Sequence, residues 1–411
     1  MTQSVADDGT AAPAGSAVPF ITRVRLRNYK SIASCDVRLG PLTILVGPNG
    51  SGKSNFLDAL AFLARALETT PEEAINERGG LGEILRRVPD HAESFSIEIE
   101  AGVPWWPHAP SAIATYELEI APDRHGTGFV VIREQSRMEE KGRVSNFLVS
   151  DGQGTIEATG LTGPVSVPRD RLFLQTAGSY TPFVQLYAGL SRGRFYNFNI
   201  EKLRRPQPSS ARPLLRPDGE ALGDVLAALA KENSPGKSRI DEYINAVVQD
   251  ATSVDSHRVG GYVTLVLKVD IDGREFEFNS LSMSDGTMRV AAVLTALFQP
   301  EALDGRLPLV GIEEPELALH PSAAGILFGA LEEASDHVQV IVTSHSADLL
   351  DRDDLNVSVI RAVTMRNGLT AIGEVDDASR EIVERKLFTL GELMRGNQIT
   401  PAPLDDESSQ A

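Results

Sequence analysis

The chain has 411 residues, 42% of them hydrophobic and 23% charged, which is ordinary for a globular protein with room for one large α/β domain or two smaller ones. Its formal net charge of −18 excludes a general polyanion-binding coat, so any nucleic-acid contact needs a local basic patch or a partner. One cysteine, Cys35, excludes an intrachain disulfide and a cysteine-rich metal site, and suits a reducing, cytoplasmic interior.

Residues 1–18 are rich in Ala, Asp, Gly, Ser and Thr, without the basic and apolar regions of a signal peptide, which predicts a disordered leader. No apolar run reaches the length of a membrane span. From Ile21 to Tyr29 apolar and polar residues alternate as in a half-buried strand, and Cys35 is expected as an inert strand residue. A strand-like run at 41–46 ends in Gly47-Pro48-Asn49-Gly50-Ser51-Gly52-Lys53-Ser54, and a helix-like run follows from Asn55 to Leu63. Strand, glycine loop and helix in that order are the context that the pattern G-x-x-x-x-G-K-[ST] requires, which makes a nucleoside triphosphate the expected ligand.

The residue types follow from the charge being held. Glycines let consecutive N–H groups turn onto a β-phosphate without a Cβ clash, and the start of the helix adds its positive end. Gly47, Asn49, Gly50, Ser51, Gly52, Lys53, Ser54 and Asn55 are therefore the candidate nucleotide-binding residues. Lys53 supplies a point charge for the β- and γ-phosphates, and the Ser54 hydroxyl is placed to ligate Mg²⁺. A glycine-rich surface loop is the alternative, and the flanking pattern argues against it.

Further along, 95–100, 116–120 and 129–132 alternate with period two and predict an antiparallel sheet beside the nucleotide site. Trp105-Trp106, in a proline-rich loop, reads as a hydrophobic anchor or a stacking platform. Between 182 and 261 the spacing becomes helical, with Leu222, Val225, Leu226 and Leu229 on one stripe and Ile240, Tyr243, Ile244 and Val247 on another. This predicts a helical insertion without coiled-coil heptads. It carries the densest basic and aromatic stretch, Arg192, Arg194, Phe195, Tyr196, Lys202, Arg204 and Arg205, which would track a phosphodiester backbone or simply form a solvated face.

Ser284 is a credible N-cap for a helix-like run at 288–297, so Ser284-Asp285-Gly286-Thr287 forms a second helix start suited to an anion, with plain capping as the alternative. A buried strand at 307–312 ends in Glu313 and Glu314. Glu313 would orient Mg²⁺ and Glu314 would act as general base on the attacking water, unless the pair is an exposed turn. A helix at 323–334 leads to the strand 338–343 and then to Ser344-His345-Ser346. His345 would face the γ-phosphate or its water, or be a satisfied strand-end histidine. The tail at 399–411 is acidic and reads as disordered.

These motifs resemble the ABC-type, "AAA family" ATPases of the RecF, SMC and OLD branch, without a coiled coil or an appended nuclease domain. The resemblance covers 20–398 and rests on GPNGSGKS, SDGT, IEEPELALHP at 312–321 and TSHSADLL at 343–350. It implies an α/β fold, a P-loop NTPase of ABC-ATPase type, with a mixed or parallel core sheet, a flanking antiparallel sheet and a helical insertion. The ATPase domain then runs over 19–181 and 262–398, interrupted by the insertion at 182–261. The resemblance further implies a head-to-tail homodimer closing on two ATP molecules with Mg²⁺, in which Ser284, Asp285, Gly286 and Thr287 of one chain meet the nucleotide held by the other. ATP hydrolysis would run a switch in a DNA transaction such as repair or phage defence, or gate a separate effector protein, with the insertion as the region that engages either. Asp285 departs from the more familiar LSGGQ. No glutamine loop is evident either: Gln135 and Gln175 lack a persuasive context, and Arg78-Gly79-Gly80 is a substitute or a tight turn.

Overall fold

The computed structural model describes residues 19–403 except 88–89, 105–111, 125–127, 159, 212 and 233. The expected leader, Trp105-Trp106 and residues 404–411 of the expected tail lie outside the described residues.

Three sheets organise the chain. In the core sheet the strand Leu42–Val46 lies between Gln339–Ser344 and Ile360–Arg366, and Leu309–Glu313 and Arg194–Tyr196 continue the order on the Gln339 side. These five strands are parallel, and Leu369–Glu374 closes the far edge in the antiparallel sense. Leu42–Val46 and Gln339–Ser344 are buried along their whole length, as expected of parallel strands covered on both faces. The helix Lys53–Glu68 leaves the first of them. It buries Phe56, Leu60, Leu63 and Leu67 in a core shared with an eight-stranded antiparallel sheet.

That second sheet is larger than the three runs expected from the sequence. Its order is Ile32–Arg38, Ile21–Tyr29, Phe95–Val103, Ala112–Pro122, Phe129–Glu140, Arg143–Ser150, Gln153–Ala158 and Leu161–Ser166. Cys35 lies in it, buried, with its thiol pushed up to about 12 by desolvation, which fits an inert strand residue. Gln339 ties this sheet to the core sheet: its amide accepts from Ile21 N–H at 2.9 Å and donates to Ile21 O at 2.7 Å and Gly40 O at 2.9 Å.

The segment expected to be a helical insertion is only partly so. Val184–Arg192, Ile200–Arg204, Leu222–Lys231 and Pro235–Val247 are helices, but Arg194–Tyr196 adds a strand to the core sheet. Gln207–Pro208 and Ala251–Val259 in the segment are strands of a small antiparallel sheet, which Tyr262–Ile271 and Arg274–Asn279 complete beyond the segment's end. Leu222, Val225, Leu226, Leu229, Ile240 and Ile244 are buried as their spacing predicts, and they share a core with the helix Asp285–Phe298. That helix is buried from Gly286 to Phe298 and is apolar apart from Thr287, Arg289 and Thr295. The segment is thus built into the domain rather than appended to it. Residues 399–403 of the expected tail are held against the domain instead. Thr400 Oγ1 donates to Asp376 at 3.2 Å and Ala402 N–H to Glu374 O at 2.7 Å.

Candidate functional site

Gly47 to Gly52 connects the end of a central strand to the helix Lys53–Glu68, as the motif requires. Gly52 stands at φ +103, a conformation that a side chain would strain. The loop is braced from the far edge of the sheet. Thr370 Oγ1 donates to Ser51 O at 2.9 Å and lies 2.6 Å from Ser31 Oγ, which also accepts from the Asn55 amide at 2.7 Å. Asn55, expected at the nucleotide, therefore spends its amide on the loop's support. Lys53 Nζ curls back to Gly47 O at 2.9 Å and Pro48 O at 3.0 Å. Burial lowers its pKa, while Glu314 and Glu316 pull it up. Ser51 Oγ is buried and has no hydrogen-bond partner among the described residues. Such a group fits an external acceptor like a phosphate oxygen.

Glu313 and Glu314 separate as the strand Leu309–Glu313 ends. The chain turns at Glu314 itself, at φ +44, and the Glu314 N–H is held by Thr343 O at 3.0 Å and Thr343 Oγ1 at 3.2 Å. A left-handed non-glycine residue costs about 1 kcal/mol, and such strain concentrates at functional sites. The turn sends Glu313 toward the Ser54 hydroxyl, which pulls its carboxyl pKa down, and sends Glu314 to His345, whose Nδ1 lies 3.0 Å from Glu314 Oε1. That contact is an ion pair when the ring is protonated and is not aligned as a hydrogen bond. The two residues expected at Mg²⁺ thus meet, and so do the expected base and the histidine. Burial raises the Glu313 carboxyl, with Ser54 pulling it down. Ser54, an alcohol beside a carboxylate, offers the oxygen donors that Mg²⁺ takes.

Two further charged residues join the site, both missed from the sequence. Glu316 is buried, accepts from Ser344 Oγ at 2.6 Å, and leaves Oε2 without a partner among the described residues. Desolvation raises its pKa. Arg289, one turn into the helix that Ser284 caps, is buried with Nε unpartnered among the described residues, and burial lowers its pKa against the pull of Glu314, Glu316 and Asp285. Glu316 stands in the IEEPEL string, but only the turn at Glu314 reveals which of its carboxylates points inward.

Ser284 caps its helix, accepting from Thr287 N–H at 3.1 Å, and Thr287 Oγ1 lies 2.8 Å from Ser284 Oγ. Ser284 and Asp285 are exposed, and Gly286 is buried. A Cβ on Gly286 would sit 2.5 Å from Ala318 O, so the residue must be glycine for the helix start to pack on the turn after Glu314.

The residues that the sequence left unassigned as sensors make structural contacts. Gln175 donates to Leu67 O at 3.1 Å and Thr69 O at 2.8 Å, capping the end of the helix that the phosphate loop begins. Gln135 donates to Glu117. Arg78 is held by Asp58 at 2.8 Å, and Gly79 and Gly80 both take positive φ, the tight-turn alternative. The basic stretch is largely neutralised, with Lys202 on Asp218, Arg204 on Asp285 and Arg194 on Glu68.

Comparison with known proteins gives the same class. Residues 183–351 match the family model "AAA domain, putative AbiEii toxin, Type IV TA system", and residues 20–100 match an AAA ATPase domain. The RecF DNA replication and repair protein of Magnetococcus marinus is 39% identical over 62 residues, 14% of this chain and 16% of that protein. The OLD nuclease of Thermus scotoductus is 23% identical over 420 aligned positions, 91% of this chain and 71% of that protein. The chain thus spans a short segment of RecF and under three quarters of the OLD nuclease. An SMC head bound to the C-terminal winged-helix domain of ScpA shares the fold at TM-score 0.51 and 15% identity, over 86% of this chain and 97% of that chain. The chain has the fold of a P-loop NTPase of ABC-ATPase type, carries AAA ATPase domain matches, and is similar in sequence to RecF and OLD proteins.

Proposed function

We propose that the chain hydrolyses ATP at two sites shared between two copies of itself, and that closure and release of this pair is the output. The observation that carries the reading is the convergence of Lys53, Ser54, Glu313, Glu314 and His345 at one end of the parallel sheet, with Ser284 exposed outside that cluster. Lys53 would bind the β- and γ-phosphates once it exchanges its loop carbonyls for them, and Ser51 would donate to a phosphate oxygen. Ser54 and Glu313 would hold a Mg²⁺ ion, which would supply charge neutralisation for the phosphates. Glu314 takes the proton of the attacking water, and His345 fixes its carboxylate and carries positive charge when protonated. Ser284 and the N–H groups of its helix start would meet the γ-phosphate held by the other copy.

Ser284→Arg tests the sharing. This variant is expected to bind ATP with near-normal affinity in calorimetry, because Lys53 is untouched, yet to stay monomeric and lose turnover. Wild-type turnover would remove Ser284 from the site.

The name of the RecF relatives, DNA replication and repair protein, supports a DNA transaction such as repair, and phage defence is another transaction this reading admits. A second reading, an ATP-gated regulator of an effector protein, is favoured by the pairing of Lys202, Arg204 and Arg194 with carboxylates in an acidic chain. Turnover measured with duplex DNA at two salt concentrations separates them. Under the DNA reading stimulation is present and falls as salt rises, because phosphate contacts release counterions. No stimulation at low salt favours the effector.

A further inference from the structure

We propose that Arg204 is a positioning residue that sets the Ser284 loop in its docking-competent shape and cancels the charge of Asp285; this rests on the shared-site reading above. Arg204 ends the helix Ile200–Arg204, and its guanidinium gathers an otherwise irregular loop. Nη1 donates to Ser280 O at 3.1 Å, Leu281 O at 3.3 Å and Met283 O at 3.1 Å, while Nη2 pairs with the Asp285 carboxylate. The Arg204 carbonyl completes the ring by accepting from Ser280 Oγ at 2.7 Å. Nη1 carries two hydrogens, which the three carbonyls share, and Nη2 keeps its own for the carboxylate; a lysine ammonium, with one nitrogen, lacks the second donor atom that lets the fork reach both sides.

Two consequences bear on the site. In a trans peptide the carbonyl and the next N–H point opposite ways. With the Met283 carbonyl turned to Arg204, the Ser284 N–H faces the other side, and the loop shape that presents Ser284 is fixed by the clamp. Charge is the second. Asp285 is 60% exposed at its side chain and opens the helix that would approach a triphosphate, where a bare carboxylate would be repelled. Arg204 neutralises it within the same chain. An acidic residue in this loop is then compatible with an anionic ligand, and the position of helix Ile200–Arg204 becomes coupled to the site.

The test compares chains in a Glu314→Gln background. Arg204→Ala is expected to keep ATP affinity within about twofold in calorimetry at dilute protein and to stay folded with at most a modest fall in unfolding temperature, since the clamp gathers one loop, in which Leu281 is exposed and Ser280 and Met283 are buried. Its ATP-dependent dimer should dissociate roughly tenfold or more easily, the range for loss of charge-assisted hydrogen bonds. Adding Asp285→Asn should recover part of that loss by removing the uncompensated charge, and Arg204→Lys should fall between alanine and the parent. Unchanged dimer affinity in Arg204→Ala overturns the inference alone. So does a parallel fall of nucleotide affinity and unfolding temperature, the mark of a merely structural role, or a double variant no tighter than Arg204→Ala. Failure of the Glu314→Gln parent to associate in ATP sinks the shared-site reading itself.

Discussion

Lys53→Ala is expected to lose ATP binding by about a hundredfold or more, the effect of removing one partner from a buried charge contact, roughly 3 kcal/mol. The ammonium is buried, sits at the mouth of the helix Lys53–Glu68, and is held by two carbonyls of its own loop rather than by a carboxylate. It is therefore free to exchange those carbonyls for phosphate oxygens without breaking an ion pair. Truncation removes the charge while leaving the loop supported by Thr370, Ser31 and Asn55. The variant should accordingly stay folded, and calorimetry reads the loss directly. Unchanged ATP affinity would show that the phosphates lie elsewhere.

Glu314→Gln is expected to bind ATP normally, to lose turnover by about a hundredfold or more, the usual share of a general base, and to accumulate as an ATP-bound dimer. The backbone features that aim residue 314, its positive φ and the two bonds from its N–H to Thr343, do not depend on the side chain. Glutamine keeps the shape and cannot take a proton. With the γ-phosphate intact, each nucleotide continues to join the two copies, so a population that hydrolysis would release becomes trapped. Light scattering with ATP distinguishes the outcomes: twice the monomer mass agrees, and a monomer contradicts the shared site.

What was legible in the sequence is what lies in contiguous strings. Gly47 to Ser54, Glu313-Glu314 and His345 each sit where one strand ends, so the local order of strand and loop sufficed to find them. What stayed hidden is held together across the chain. Thr370 supports Ser51, and Gln339 joins the two sheets through Ile21; no spacing pattern links such distant residues. The outer strands of the large sheet were missed for a different reason. Leu161–Ser166 is half exposed along its length, and a strand that buries little leaves a weak alternation. Arg274–Asn279 is exposed throughout, so the alternation of Glu275, Phe276, Glu277 and Phe278 marks a strand that covers no core. Arg204 was read with its neighbours as a basic surface, because charge in a sequence does not reveal its partner. Its partners are a loop some eighty residues away.

The shared site is tested most directly by mixing two inactive chains. Lys53→Ala keeps an intact Ser284 loop and Ser284→Arg keeps an intact phosphate loop, so each pure protein has no complete site, whereas a mixed pair contains one. ATP turnover should therefore return on mixing and rise with the concentration of the second chain. A mixture no more active than its separate components, with both chains folded, would contradict the account.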